Sequence, residues 1–251
     1  MAPSPRTALI TGGSKRIGRE IALALAARKI QTIIHYRKSS TDAEALCAEI
    51  ERMGVRSWML RADFAVESET RSLIEKAWDT AAPIDILVNN AAQFPSDRFE
   101  DLTFENLAKN IQINAWAPFC LAREFAKHAS SGQIINLIDS RVTSFDWTHV
   151  GYILSKHVLA EMNRMMVVQF APAIRVNAIA PGLILPPPGY EHGYLDERVR
   201  TVPLERHGNP EDIARAVIFL IESPFVSGET VYVDGGRHII EYPREGARRN
   251  G

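Results

Sequence analysis

The stretch "NLIDSRVTSFDWTHVGYILSK" ends in Tyr152 and, four residues later, Lys156. Residues at i and i+4 share one face of a helix, and this pair has a chemical sense. A free phenol titrates near pH 10 and is a poor acid–base catalyst at neutrality; a cation beside it brings the value closer. Thirteen residues before the tyrosine stands Asp139. An ionised carboxylate accepts hydrogen bonds but cannot donate them, and it repels a developing alkoxide. Taken alone, a Tyr-x-x-x-Lys spacing is common and usually marks only a helix face. The elements around it must give it meaning.

Those elements come from a chain of 251 residues, 46% hydrophobic, long enough for one large α/β domain. The net charge of −1 gives no electrostatic case for nucleic acid or an anionic membrane as the main partner. Two distant cysteines, Cys47 and Cys120, fit a reducing cytoplasm rather than a disulfide framework. The opening "MAPSPRTALITGG" lacks the features of a secretory signal. No apolar run approaches the roughly 18–20 residues needed to cross a bilayer. The expectation is a soluble, cytoplasmic protein. The seven histidines are scattered and no HExxH occurs, so no metal site is expected.

Short apolar, β-branched runs fall at 6–10, 31–36, 56–60, 84–90, 132–138, 174–180 and 230–233, and read as strands. Segments with helical spacing lie between them at 16–29, 41–53, 67–81 and 152–170. Mostly apolar strands alternating with helices predict a parallel sheet covered on both faces. The expected fold is α/β, a single doubly wound, Rossmann-like domain over residues 1–240 with about seven parallel strands. Residues 183–200, with three consecutive prolines, read as an irregular excursion on the substrate side, either a lid or a plain surface insertion. The polar, basic tail 241–251 reads as a frayed terminus.

The first strand runs into "TGGSKRIG", a tight turn that opens a helix and so aims backbone N–H groups at a bound phosphate. Gly12 and Gly18 occupy the outer glycine positions of a TGxxxGxG pattern, with Ser14, Lys15, Arg16 and Ile17 between them and Arg16 in place of the middle glycine. After the second strand an NAD site would carry an acid for the ribose 2′-hydroxyl. Here the sequence has Tyr36, Arg37, Lys38 and Ser39, a set that attracts a 2′-phosphate and predicts NADPH. Asp63 and Phe64 close the third strand, where Asp63 is placed to accept from the adenine amino group. The Asn90–Ala91 backbone is expected to line the adenosine ribose.

In order, "TGGSKRIG", "NNAA", Asn114 in "INAWAP", "YILSK", "VNAIAPG" with Pro181 and Gly182, and "VDGG" resemble the short-chain dehydrogenase/reductase superfamily over nearly the whole chain. That resemblance implies Tyr152 as proton donor, Lys156 as the group that binds the nicotinamide ribose and lowers the tyrosine pKa, and Asn114 as holder of a relay water. Ketone-reducing members place a serine where Asp139 stands. A C=N substrate has other needs, because its nitrogen takes a proton and no oxyanion develops. Asp139 would then supply or relay that proton with Tyr152, its pKa raised by an apolar pocket. Ser140 is the alternative if the register slips by one; "INLID" favours Asp139.

Arg16, Asp139 and Phe94 in "NNAAQF" together resemble the pteridine and dihydromonapterin reductases. There the arginine contacts cofactor phosphate and pterin, and the phenylalanine stacks on the flat heterocycle. Ala92 departs from that pattern, which often has a serine. The resemblance implies dihydropterin reduction, with dihydrofolate a further candidate, in a homotetramer. The all-round apolar helix carrying Val158, Leu159, Met162, Met165, Met166, Val167 and Phe170 fits such an interface. The rivals are a general carbonyl or 3-oxoacyl reductase and a non-catalytic NADPH-binding sensor, the latter expected to lack the Tyr152, Lys156 and Asn114 set.

Overall fold

The computed structural model describes residues 6–187, 189–190 and 193–240. Seven parallel strands form one sheet: β1 (Thr7–Ile10), β2 (Gln31–Tyr36), β3 (Ser57–Arg61), β4 (Ile86–Asn89), β5 (Gly132–Leu137), β6 (Ile174–Pro181) and β7 (Thr230–Val233), in the order β3-β2-β1-β4-β5-β6-β7. Successive side chains on a strand face opposite ways, and the two faces feed separate cores. Ile10, Ile34, Val88 and Ile135 pack under α1 (Arg16–Ala27), α2 (Ser40–Arg52) and α7 (Pro210–Glu222). Their neighbours Leu9, Ile33, Leu87 and Ile134 pack under α3 (Glu67–Ala81), α5 (Ala117–His128) and α6 (Val150–Phe170). Runs such as "TALI" are buried throughout because both faces are covered.

Three helices lie in segments the sequence left unassigned: α4 (Phe104–Ile111), α5 and α7. For α7 a signal was present, since Asn209 and Asp212 form a capping box around Pro210 in the first turn. Between α4 and α5 the helix widens into a π turn over Gln112–Trp116. Of 183–200, the described residues 183–187, 189–190 and 193–195 form no strand or α-helix, and a short 3₁₀ turn follows at Asp196–Thr201. The tail expected to fray, 241–251, lies outside the described residues.

Strand order reverses between β1 and β4, where the connections from the two strands diverge. In open α/β sheets a ligand crevice forms outside the carboxyl ends of strands at such a point. The cleft found there has a volume of about 1240 Å³ and is lined by both the glycine turn and Tyr152.

Candidate active site

At the phosphate end, Gly12 has φ +59° and Arg16 φ +55°. The middle position of the glycine pattern thus keeps a backbone conformation natural to glycine although arginine fills it. A side chain on Gly18 would run into the carbonyl of Gly12 and the amide of Asn90, so α1 starts in close contact with the turn. Asn90 braces that turn, donating from Nδ2 to the carbonyls of Thr11 at 2.9 Å and Gly12 at 3.0 Å. The main-chain N–H groups of Asn90 and Ala91 both donate to Thr11 Oγ1. Their donors are therefore committed to protein, while both residues line the cleft.

His35 does a job the sequence did not reveal. Its Nδ1 accepts the N–H of Gly12 at 3.0 Å, while Nε2 faces the carbonyl of Ala62 at 3.1 Å and the ring stacks on Phe64. An accepting Nδ1 fixes the neutral tautomer protonated at Nε2. Burial drives the imidazole down to about 4, so it stays neutral. Tyr36, Arg37, Lys38, Ser39 and Asp63 line the cleft next to it, with Arg37 and Lys38 exposed. Lys15 is turned to Asp42 at 2.8 Å. Pro181 and Gly182 border the cleft from the end of β6. A turn with no room for a side chain at Gly18, sharing one cleft with Arg37 and Lys38, fits an anionic dinucleotide.

Arg16 lines the same cleft. Its guanidinium donates to the carbonyl of Pro186 at 2.6 Å, tying the phosphate turn to the 183–200 segment.

At the reacting end, the loop after β4 is clipped onto the start of α6. Asp97 donates its N–H to the carbonyl of Thr148 at 3.0 Å, and its carboxylate accepts from the N–H of Gly151 at 3.1 Å. That places Phe94 against Tyr152, ring centroids 4.5 Å apart and edge to face. Asn114, in the π turn, is a clasp: Oδ1 accepts from the N–H of Gln93 at 2.9 Å, and Nδ2 donates to the Gln93 carbonyl at 3.1 Å and Ser155 Oγ at 3.0 Å. Ser155 Oγ in turn donates to the carbonyl of Tyr152 at 2.6 Å.

Asp139, the residue after Ile138 at the end of β5, accepts the Tyr152 hydroxyl at 3.0 Å. Ser140 is buried behind it, so Asp139 is the side chain that meets the phenol. The surroundings differ from the apolar pocket expected for it. The Arg141 N–H donates to the Asp139 carboxylate at 2.8 Å and the guanidinium approaches at 3.3 Å. Arg141 also bonds Asp146, which takes further bonds from Thr148 and from His149 at 3.0 Å. Burial lowers the Arg141 pKa, but Asp139 and Asp146 outweigh it and hold the guanidinium above its ordinary value. Burial pushes Asp146 up, and its bonds from His149, Arg141 and Thr148 more than reverse that, leaving it below the usual carboxylate range.

Tyr152 is buried between Asp139 and Lys156. Burial first, and then the Asp139 carboxylate, raise the phenol well above its ordinary value. Lys156 donates to the carbonyl of Leu137 at 2.7 Å, and burial brings its ammonium down to about 8. Tyr152 therefore keeps its proton at neutral pH. Phe94 carries His149 stacked on it at 3.9 Å. Sequence reasoning missed Arg141, Asp146 and His149; the only cue was the charge of Arg141, two residues past Asp139. Among the described residues no group of His, Cys, Asp and Glu could hold a metal ion, and no helix is long and apolar enough to cross a membrane.

Residues 12–238 match a family model described as enoyl-(acyl carrier protein) reductase. A granaticin polyketide synthase putative ketoacyl reductase from Streptomyces violaceoruber is 30% identical over 95% of this chain and 98% of its own length. A 3-oxoacyl-[acyl-carrier-protein] reductase from Synechocystis is 31% identical over 94% of this chain and 98% of its own. Among solved structures, the FolM alternative dihydrofolate reductase 1 of Brucella suis in complex with NADP superposes with a TM-score of 0.90 at 31% identity, covering 98% of this chain and 100% of that one.

Proposed function

We propose, for a chain that belongs to the short-chain dehydrogenase/reductase family, that it is an NADPH-dependent reductase of a C=N bond in a pterin ring, converting a dihydropterin to the tetrahydro form. The glycine turn and the Arg37–Lys38 cluster would hold NADPH, which would supply the hydride. The observation that carries the reading is Tyr152, hydrogen-bonded to Asp139 and edge-on to Phe94, in the same cleft as a turn built for a dinucleotide. The complex of a similar reductase with NADP supports the cofactor, and that relative's printed name, an alternative dihydrofolate reductase, supports a pterin-type substrate.

The proton chemistry follows from the chain's own groups. Tyr152 keeps its proton at neutral pH and hands it to the ring nitrogen. Asp139, which faces the donors Arg141 and Tyr152, orients the hydroxyl and offers an acceptor through which a proton returns. Lys156 sits behind the phenol and is placed for the nicotinamide ribose. Asn114 fastens the Gln93–Phe94 loop to α6, so the aromatic ring and the phenol keep their spacing. Phe94 offers a flat apolar surface for a heterocycle, with Arg16 at the junction of turn and loop.

A second reading is a carbonyl or 3-oxoacyl reductase, favoured by the Synechocystis relative. NADPH oxidation with dihydrobiopterin, dihydromonapterin, dihydrofolate and a panel of ketones separates the two; turnover of ketones alone would overturn the pterin reading. The proposal includes a homotetramer joined through α6, where Met165 and Val168 are exposed, and a cytoplasmic setting in keeping with the free thiols Cys47 and Cys120.

A further inference from the structure

We propose that Arg141 is a positioning residue that joins Asp139 to the Phe94–His149 wall, so that the proton-handling pair and the aromatic surface form one rigid unit. The inference rests on the reading above in taking Tyr152 and Asp139 as the proton-handling pair.

Four links carry it. Asp139 accepts from Tyr152 at 3.0 Å and from the main-chain and side-chain nitrogens of Arg141 at 2.8 and 3.3 Å. The same guanidinium bonds Asp146. Asp146 is itself fixed by the Thr148 N–H at 2.9 Å, the Thr148 hydroxyl at 2.7 Å and His149 Nδ1 at 3.0 Å. His149 lies flat on Phe94 with centroids 3.9 Å apart. The series begins at the phenol and ends at the ring whose edge meets it, a closed circuit of side chains. Arg141 is the one member that touches both carboxylates, and only a planar fork with several donors can span them.

Burial shows that the arrangement is not a surface ion pair. The side chains of Arg141, Asp139, Asp146 and His149 are 20%, 13%, 5% and 15% exposed. Removing one partner of a buried, hydrogen-bonded charge pair costs far more than breaking an exposed one. Without the Arg141 side chain, Asp139 keeps its bonds to Tyr152 and to the main-chain N–H of residue 141 but loses the guanidinium that fixes its plane, and Asp146 and His149 lose their tie to it. Arg141 itself need not touch the substrate.

The charged groups that bear on Tyr152 are Asp139, Asp146, Arg141 and Lys156, and Arg141 acts to lower the phenol's pKa. Taking this cation away moves the phenol further up. The test uses the full-length enzyme with saturating NADPH. Wild type is first assayed with a dihydropterin and an activated ketone, and whichever is reduced serves for the comparison; failure of the pterin reading thus leaves this test intact. In Arg141→Ala, kcat is expected to fall about tenfold to a hundredfold, and the alkaline limb of its pH profile to move up. NADPH affinity, measured by fluorescence titration, is expected to stay within about twofold, since the cofactor residues are untouched. Added ethylguanidinium is expected to restore part of the rate. Arg141→Lys, whose single ammonium cannot span both carboxylates, decides the matter should the alanine variant not fold, with an expected loss of about threefold to tenfold. Wild-type kcat in either folded variant overturns the proposal. So does a loss of kcat with an unmoved alkaline limb and no response to ethylguanidinium, because that pattern belongs to general loosening of the site.

Discussion

His35 Nδ1 accepts the backbone N–H of Gly12 at 3.0 Å, so a residue of β2 sets the shape of the turn that follows β1. The acceptor exists only while the imidazole is neutral. Its pKa in the fold, about 4, lies below the ordinary 6.5, so the unfolded chain takes up the proton first as pH falls. The stability tied to this bond is present above about pH 6.5 and is lost progressively from there down to about 4.

His35→Phe should therefore weaken NADPH binding by about tenfold, since the Gly12 N–H loses its partner while the ring volume is kept. The variant should also lose the fall in stability that the wild type shows between pH 6.5 and 4. Binding titrations and thermal melts across that range check both halves; an unchanged dissociation constant counts against the role given to His35.

Arg37 and Lys38 are exposed on the cleft beside Tyr36. Arg37→Asp replaces an attraction for a 2′-phosphate with repulsion and should reduce the preference for NADPH over NADH by about tenfold to a hundredfold, the worth of a charge-assisted hydrogen bond. Ratios of kcat/KM for the two cofactors measure it. Equal use of both by the wild type would sink the assignment.

Asp139→Ser should lower pterin reduction by about 10²–10⁴-fold, the usual loss when an acid–base group is removed. Weak ketone reduction should rise, because a hydroxyl can donate to a substrate oxygen. Comparing kcat/KM for a dihydropterin and an activated ketone in both proteins tests the two effects together.

Lys156 is stabilising for function and costly for the fold. Its folded pKa of about 8 lies below the ordinary 10.5. The burial penalty is thus fully present below pH 8 and fades as pH rises from 8 to 10.5. Lys156→Met should be inactive yet more stable at pH 7, by on the order of 1–3 kcal/mol, and the advantage should shrink by pH 10. Denaturant melts at the two pH values decide it; equal stability at pH 7 would count against a buried ammonium.

Met165 and Val168 stand 71% and 80% exposed on α6. If this surface is covered in a tetramer, light scattering at micromolar concentration should give four times the chain mass, and Val168→Glu should reduce it. A wild-type monomer excludes the assembly.

The strand pattern was legible because covered parallel strands are apolar runs bounded by polar turns, and all seven appear where such runs occur. The helices α4 and α5 were hidden because their hydrophobic spacing is interrupted at the π turn, where one extra residue breaks the 3.6 period. Tyr152 and Lys156 were visible from residue type and spacing, Asp139 and Phe94 through the resemblance to pteridine reductases, and all four line one cleft. What surrounds Asp139 was not. Arg141 reads as one more charge in a loop until the fold turns it back onto two carboxylates. His35 was hidden for another reason: inside an apolar strand a histidine looks like core, and only the neighbouring strand's turn gives its ring nitrogen a partner.

The π turn at Gln112–Trp116 can also be viewed as angular phase. An α-helix advances about 100° per residue, so the extra residue rotates everything that follows by that amount relative to α4. Deleting one residue here would make the helix regular and leave its length nearly unchanged. It would also swing Cys120, Leu121 and Phe125 off the sheet, or, if they stay, turn Asn114 away from Gln93 and Ser155. The irregular turn lets a single helix serve two directions, one set by the core and one by the cleft.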